Sequence, residues 1–128
     1  MLRTGTIAVC MLALLLVGCS PDLIPTNPKG MSGFCNVDDM NRLEVSVKND
    51  GSEDAIASTA QVDFGTYGVV NIVTPVLKEG EEVTLPSIDF PAGCSDPDCG
   101  FEIKVDIFND VSEGSGEDNN TQVGNCVG

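Results

Sequence analysis

The sequence predicts an all-β chain, folded as an antiparallel sandwich of about seven short strands. Three observations predict it. Apolar and polar residues alternate with period two in several stretches from Arg42 onward. Gly, Pro, Asn and Asp punctuate those stretches at short intervals, as hairpin and sandwich connections require. Beyond the N-terminal apolar run, no segment holds a 3.6-residue apolar period.

Residues 42–49 place Leu43, Val45 and Val47 on one face and Glu44, Ser46 and Lys48 on the other, the pattern of a half-buried strand. Asn49-Asp50-Gly51-Ser52 reads as the turn that follows. Residues 56–64 alternate again, with Ile56, Ser58, Ala60, Val62 and Phe64 sharing a face. Residues 69–74 are β-branched except Asn71, and Pro75 ends that strand or marks an edge. Residues 81–85 follow a Lys78-Glu79-Gly80 turn, with residues 87–90 as a continuation past Pro86. Residues 101–107 form the clearest strand, with Phe101, Ile103, Val105 and Ile107 inward and Glu102, Lys104 and Asp106 outward. Residues 121–127 are the candidate last strand. The ~95 residues from Phe34 match an immunoglobulin or fibronectin III-like sandwich in size. The core Trp, mid-strand Cys pair and tyrosine corner of antibody domains are missing, so the likeness is one of architecture.

Composition narrows the chemistry. The chain has 128 residues and no His, which excludes Ser-His and Cys-His catalytic pairs and imidazole metal sites. Twenty acidic against six basic side chains give a net charge of −14. A nucleic-acid partner is therefore not expected, since it would need clustered Lys and Arg.

Residues 1–18 read as a signal peptide: Arg3 is their only charge, and the apolar run is too short for a comfortable membrane span. The run closes on Leu16-Val17-Gly18-Cys19-Ser20, which resembles the lipobox of bacterial lipoproteins. That resemblance implies that Cys19 becomes the first residue and carries the lipid, making the membrane a partner through the anchor. Ser20 after the Cys suggests sorting to the outer membrane. Residues 19–33 hold three prolines and no periodicity, and read as the lipidated Cys and a flexible tether. Residues 34–128 are the expected folded domain.

Four cysteines remain: Cys35, Cys94, Cys99 and Cys126. An even number in an exported chain reads as two disulfides, with three possible pairings. The short Cys94-Ser-Asp-Pro-Asp-Cys99 loop favours Cys94–Cys99, leaving Cys35–Cys126 to tie the start of the domain to its end. The wide separation of the other cysteines disfavours a four-Cys zinc site.

Three segments in order resemble the CARDB family, the cell-adhesion-related domain found in bacteria. Val45-Ser-Val-Lys-Asn49-Asp-Gly51 is similar to its V-x-V-x-N-x-G opening. Leu77-Lys-Glu-Gly80 is similar to its L-x-x-G hairpin, and Val105-Asp106-Ile-Phe-Asn109 to the start of its closing signature, which continues through Asn119-Asn120. The resemblance spans about residues 41–121 and implies an immunoglobulin-like sandwich with a role in surface interaction rather than catalysis. It names no ligand.

Candidate sites are few. The acidic and Asn-rich stretch from Asp106 to Asn120 offers oxygen ligands for calcium, with Asp106, Asp110, Glu113 and Asp118 as the candidate set, although it lacks the EF-hand spacing. Glu79, Glu81 and Glu82 lie together, but they read as a solvated turn rather than a glycosidase pair. No Ser lies in G-x-S-x-G. The expected role is non-enzymatic: a lipid-anchored envelope module that presents the sandwich to a protein or glycan partner. A structural spacer or assembly subunit, and an immunoglobulin-like enzyme inhibitor, are the competing readings.

Overall fold

A computed structural model of the chain describes residues 20–112 and 119–127. The strands are β1 (Leu23–Thr26), β2 (Ser46–Asn49), β3 (Ser58–Asp63), β4 (Val69–Thr74), β5 (Glu82–Thr84), β6 (Asp98–Lys104) and β7 (Thr121–Val127). They form two antiparallel sheets, one ordered β1-β2-β5 and the other β4-β3-β6-β7. Short 3-10 turns at Ser32–Phe34 and Gly65–Tyr67 accompany them. Among the described residues no helix is long and apolar enough to cross a membrane.

The alternating residues meet between the sheets. Leu43, Val45 and Val47 come from one side, and Ala60, Val62, Phe64, Phe101, Ile103 and Val105 from the other, all buried. Phe64 centres the aromatic part of the core, tilted at 6.2 Å from Phe101 and edge-on at 6.4 Å to Phe90, geometries that aromatic quadrupoles favour. Ser46 departs from the expected outward position: it is buried, and its hydroxyl bonds that of Thr84 across the sheet at 2.8 Å.

Two disulfides join Cys35 to Cys126 and Cys94 to Cys99. The first spans 91 residues of sequence.

Two further expectations need correction here. Residues 20–33 are not a flexible tether, and the folded domain does not wait until Phe34. Leu23 is fully buried, and β1 pairs with β2 from Leu23↔Asn49 to Thr26↔Ser46. The chain is held from its first described residue, because the Ser20 carbonyl accepts the Ser52 N–H at 3.0 Å and the Asp22 carbonyl the Asp50 N–H at 2.7 Å. Pro25 is tolerated because β1 is an edge strand, where an absent N–H on the open side breaks no ladder bond. The second correction is Ile56, which is exposed while Ala55 takes the inward place and bridges Leu77. The alternation slips by one residue between Ala55 and Ser58, where Ile56 and Ala57 are both exposed.

Candidate interaction edge

The motif residues turn out to hold the fold. Asn49 is fully buried. Its Nδ2 donates to the carbonyls of Glu53 at 2.7 Å and Leu77 at 3.1 Å. Its Oδ1 accepts the N–H groups of Asp22 and Gly51, each at 3.1 Å. One amide thus uses both donors and both lone pairs to join β1, the turn after β2 and the connection between β4 and β5. Gly51 is small for a related reason: a Cβ there would collide with the Ser20 carbonyl oxygen and the backbone of Pro21 and Asp22. Gly80 adopts φ 80°, the left-handed region, in its turn.

The calcium candidates are only partly placed. Asp106, expected to face outward, is instead buried at φ 50° just past the end of β6, and its Oδ1 and Oδ2 accept the N–H groups of Asp110 at 2.8 Å and Val111 at 3.1 Å. Its carboxylate staples the loop that leaves β6. Asp110 is exposed, and Glu113 and Asp118 lie outside the described residues, as does Cys19. Among the described residues no group of three or more Asp, Glu, Cys or His could hold a metal ion. The turn carboxylates are also engaged locally. Glu81 accepts the Lys78 N–H at 2.8 Å, and Glu82 accepts the Thr26 hydroxyl. A shallow depression of about 310 Å³ beside Phe64 and Phe101 is lined by Asp63 and Glu102, both paired with Lys104 at 3.6 and 3.7 Å, and by no Ser, Cys or Lys side chain.

Asp38 is a strongly perturbed carboxylate. Its pKa is lowered to about 2, first by the Arg42 backbone N–H, with further bonds from Ser87, the Met40 N–H and the Arg42 guanidinium; desolvation opposes the shift. The ion pair with Arg42 closes at 2.9 Å, so this carboxylate pins a turn rather than serving as an acid or base.

Among the described residues, one sheet edge is left open. β1 carries Pro25, and β5 is three residues long and flanked by Glu81. The open side of β7 is covered, since Gly33 lies against the Asn125 backbone and Cys35 is bonded to Cys126. These are familiar ways of blunting an edge. β4 shows none of them. It is six residues long, and residues 65–77, Gly-Thr-Tyr-Gly-Val-Val-Asn-Ile-Val-Thr-Pro-Val-Leu, contain no charge in a chain of net charge −14.

The ladder fixes which β4 groups are open. Phe64 N–H bonds the Gly68 carbonyl, and the same register pairs Val62 with Val70 and Ala60 with Ile72. Antiparallel alternation therefore points the N–H and C=O of Val70, Ile72 and Thr74 at β3, and those of Val69, Asn71 and Val73 away from it. The side chains of Val69 and Val73 are 54% and 68% exposed, with Tyr67 and Val76 exposed nearby. Asn71 is exposed between them and accepts a bond from Gln61 Nε2 at 3.0 Å. Sequence reasoning identified this strand and its Pro75 edge marker but did not single it out; the signal was the uncharged run.

Comparisons with known proteins agree with the architecture. A domain of a Methanosarcina acetivorans protein, named by inference a cell surface protein and solved by NMR in solution, superposes with a TM-score of 0.64 at 18% identity. The match covers 84% of this chain and 91% of that one, and at this identity it speaks for the fold. No curated protein matches the sequence. The CARDB family model matches residues 20–123, from the first described residue into β7. That span takes in β1, the Asn49 hub, Gly80 and the Asp106 staple, and by it the chain belongs to the CARDB family.

Proposed function

We propose that the chain is a lipid-anchored, non-catalytic adhesion module of the bacterial cell envelope, displayed from the outer membrane, which presents its sandwich to a protein or glycan partner. The observation that carries this reading is the open, uncharged β4 edge, which offers backbone donors and acceptors flanked by exposed valines. The CARDB family's adhesion-related name and the neighbour described as a cell surface protein support it. The lipobox-like Leu16-Val17-Gly18-Cys19 supports the anchor. The non-catalytic part is supported by the local engagement of Glu81, Glu82, Asp38 and Asp106 in turns.

The test uses cells producing the full chain. Cys19→Ala should move the chain from the membrane pellet to the soluble fraction and abolish incorporation of a labelled fatty acid. Val69→Glu together with Val73→Glu should abolish adhesion by cells that display the anchored chain. Membrane retention of the Cys19→Ala chain would overturn the anchor. Adhesion unchanged by the β4 pair would overturn the edge.

A further inference from the structure

We propose that the occupant of the β4 edge is a second copy of this chain, paired antiparallel through β4 about Asn71. This deepens the reading of β4 as the presenting edge and rests on it.

The open positions of β4 read the same in both directions, as Val69, Asn71 and Val73. In an antiparallel pair centred on Asn71, Val69 faces the partner's Val73, Asn71 faces the partner's Asn71, and Val73 faces the partner's Val69. Each of these is a mutually bonded pair, because these are the residues whose N–H and C=O point off the edge. The cross-strand neighbours are then valine on valine with an amide pair between, combinations that stabilise sheets. The two four-stranded sheets become one continuous sheet with their outer faces on the same side.

Charge selects the same occupant. Two copies of a chain at −14 repel wherever acidic surfaces meet. Residues 65–77 bring no carboxylate to the contact. The nearest acid on the adjoining strand, Asp63, is paired with Lys104 at 3.6 Å. The area sets the strength. A strand of roughly 20 Å is a narrow strip, well short of the ~800 Å² per partner of a stable complex. Pairing in free solution is therefore weak, and many copies displayed on facing surfaces are what fill the edge.

The test is sedimentation velocity of the full chain, disulfides oxidised and in mild detergent, from ~10 μM to ~1 mM, range chosen for a weak interface. Wild type should dimerise with rising concentration. Asn71→Asp and Asn71→Lys each place like charges opposite one another and should weaken dimerisation roughly fivefold or more. Mixing the two variants should restore it, which no heterologous partner would do. Val73→Glu, which also faces an uncharged valine, serves as a second variant, and melting curves confirm that each variant is folded. Amide exchange by NMR separates the failures. A chain that stays monomeric while the Val69, Asn71 and Val73 amides exchange freely overturns the second copy and leaves the edge open for another strand. Protection of those amides at every concentration overturns the edge as well. Variants that dimerise like wild type place any dimer contact elsewhere and overturn the proposal.

Discussion

Replacing Asn49 by Ala should be the most damaging single change to a polar side chain in this domain. The four bonds of its amide reach Asp22, Gly51, Glu53 and Leu77. Each intramolecular bond contributes about 0.5–1.5 kcal/mol net, and a buried group left without its partner costs about 1–3 kcal/mol. Two of the deserted groups are near the surface and regain water. The Leu77 carbonyl sits with a buried residue and does so less readily. An overall loss of about 4 kcal/mol follows, which for a domain of this size lowers Tm by roughly 15–30 °C. The assay is reversible urea or thermal unfolding with both disulfides oxidised, followed by circular dichroism. Asn49→Asp supplies a second readout. It keeps the acceptors for Asp22 and Gly51 but turns a carboxylate toward two carbonyl oxygens, so its charged form is disfavoured and its pKa rises. Stability missing at pH 7 should return as pH falls through that raised value and the group becomes neutral. A loss below about 1 kcal/mol for Asn49→Ala, within the range of ordinary surface changes and single bonds, would refute the hub.

The other expectations follow from single features. Opening Cys35–Cys126 with a double Cys→Ser change should cost about 4–5 kcal/mol, and opening Cys94–Cys99 about 2 kcal/mol, because the loops differ in span at 91 and 5 residues; an inverted order of melting temperatures would contradict this. The Ser58 and Thr74 hydroxyls lie opposite one another, buried and without hydrogen bonds, so Thr74→Val should be neutral or stabilise by up to about 1 kcal/mol; a clear loss would show that a bound water served them. Asp38, held at about 2, stabilises the fold above the ordinary carboxylate pKa near ~3.9, and that contribution disappears as pH falls through about 2. Asp38→Asn should therefore flatten the melting-temperature curve between pH 4 and pH 2, measured by scanning calorimetry. Gly51→Ala should free the N-terminal segment, seen as faster proteolysis at residues 20–26 while the remaining strands keep their protection.

The strands that read cleanly are those whose partners lie on one face only. Phe101, Ile103 and Val105 alternate because β6 is central in its sheet and turns its other face to solvent. β1 did not read as a strand because its signal is tertiary: four residues containing Pro25 look like linker until Leu23 is seen filling the core. Ile56 misled because period two carries no warning of a slipped residue. The shorter disulfide was legible from a five-residue separation, and the longer pair then followed by elimination. The site was harder. Asp106 has the residue type of a metal ligand, and only the geometry shows its two oxygens accepting backbone N–H groups. Asn49 looked like ordinary turn chemistry, and its burial was invisible. The family signature thus marks the joints of the sandwich, while the surface proposed for recognition lies in a stretch outside the motif, notable for the charges it lacks.

The tie between Ser20 and the turn at Ser52 also governs direction. β4 runs toward the end of the sandwich that holds Ser20, since the chain passes from Thr74 to Gly80, whose N–H bonds the Asn49 carbonyl beside Asp22. An antiparallel pair through β4 consequently points the two Ser20 ends to opposite poles. If Cys19 carries the proposed anchor, one peptide bond from Ser20, the tether between lipid and sandwich would be too short for a copy to turn over. Neighbours rooted in the same bilayer are then misaligned for this contact, and copies rooted in facing bilayers are aligned for it. A short leash, in this protein, would decide between crowding on one cell and a handshake between two.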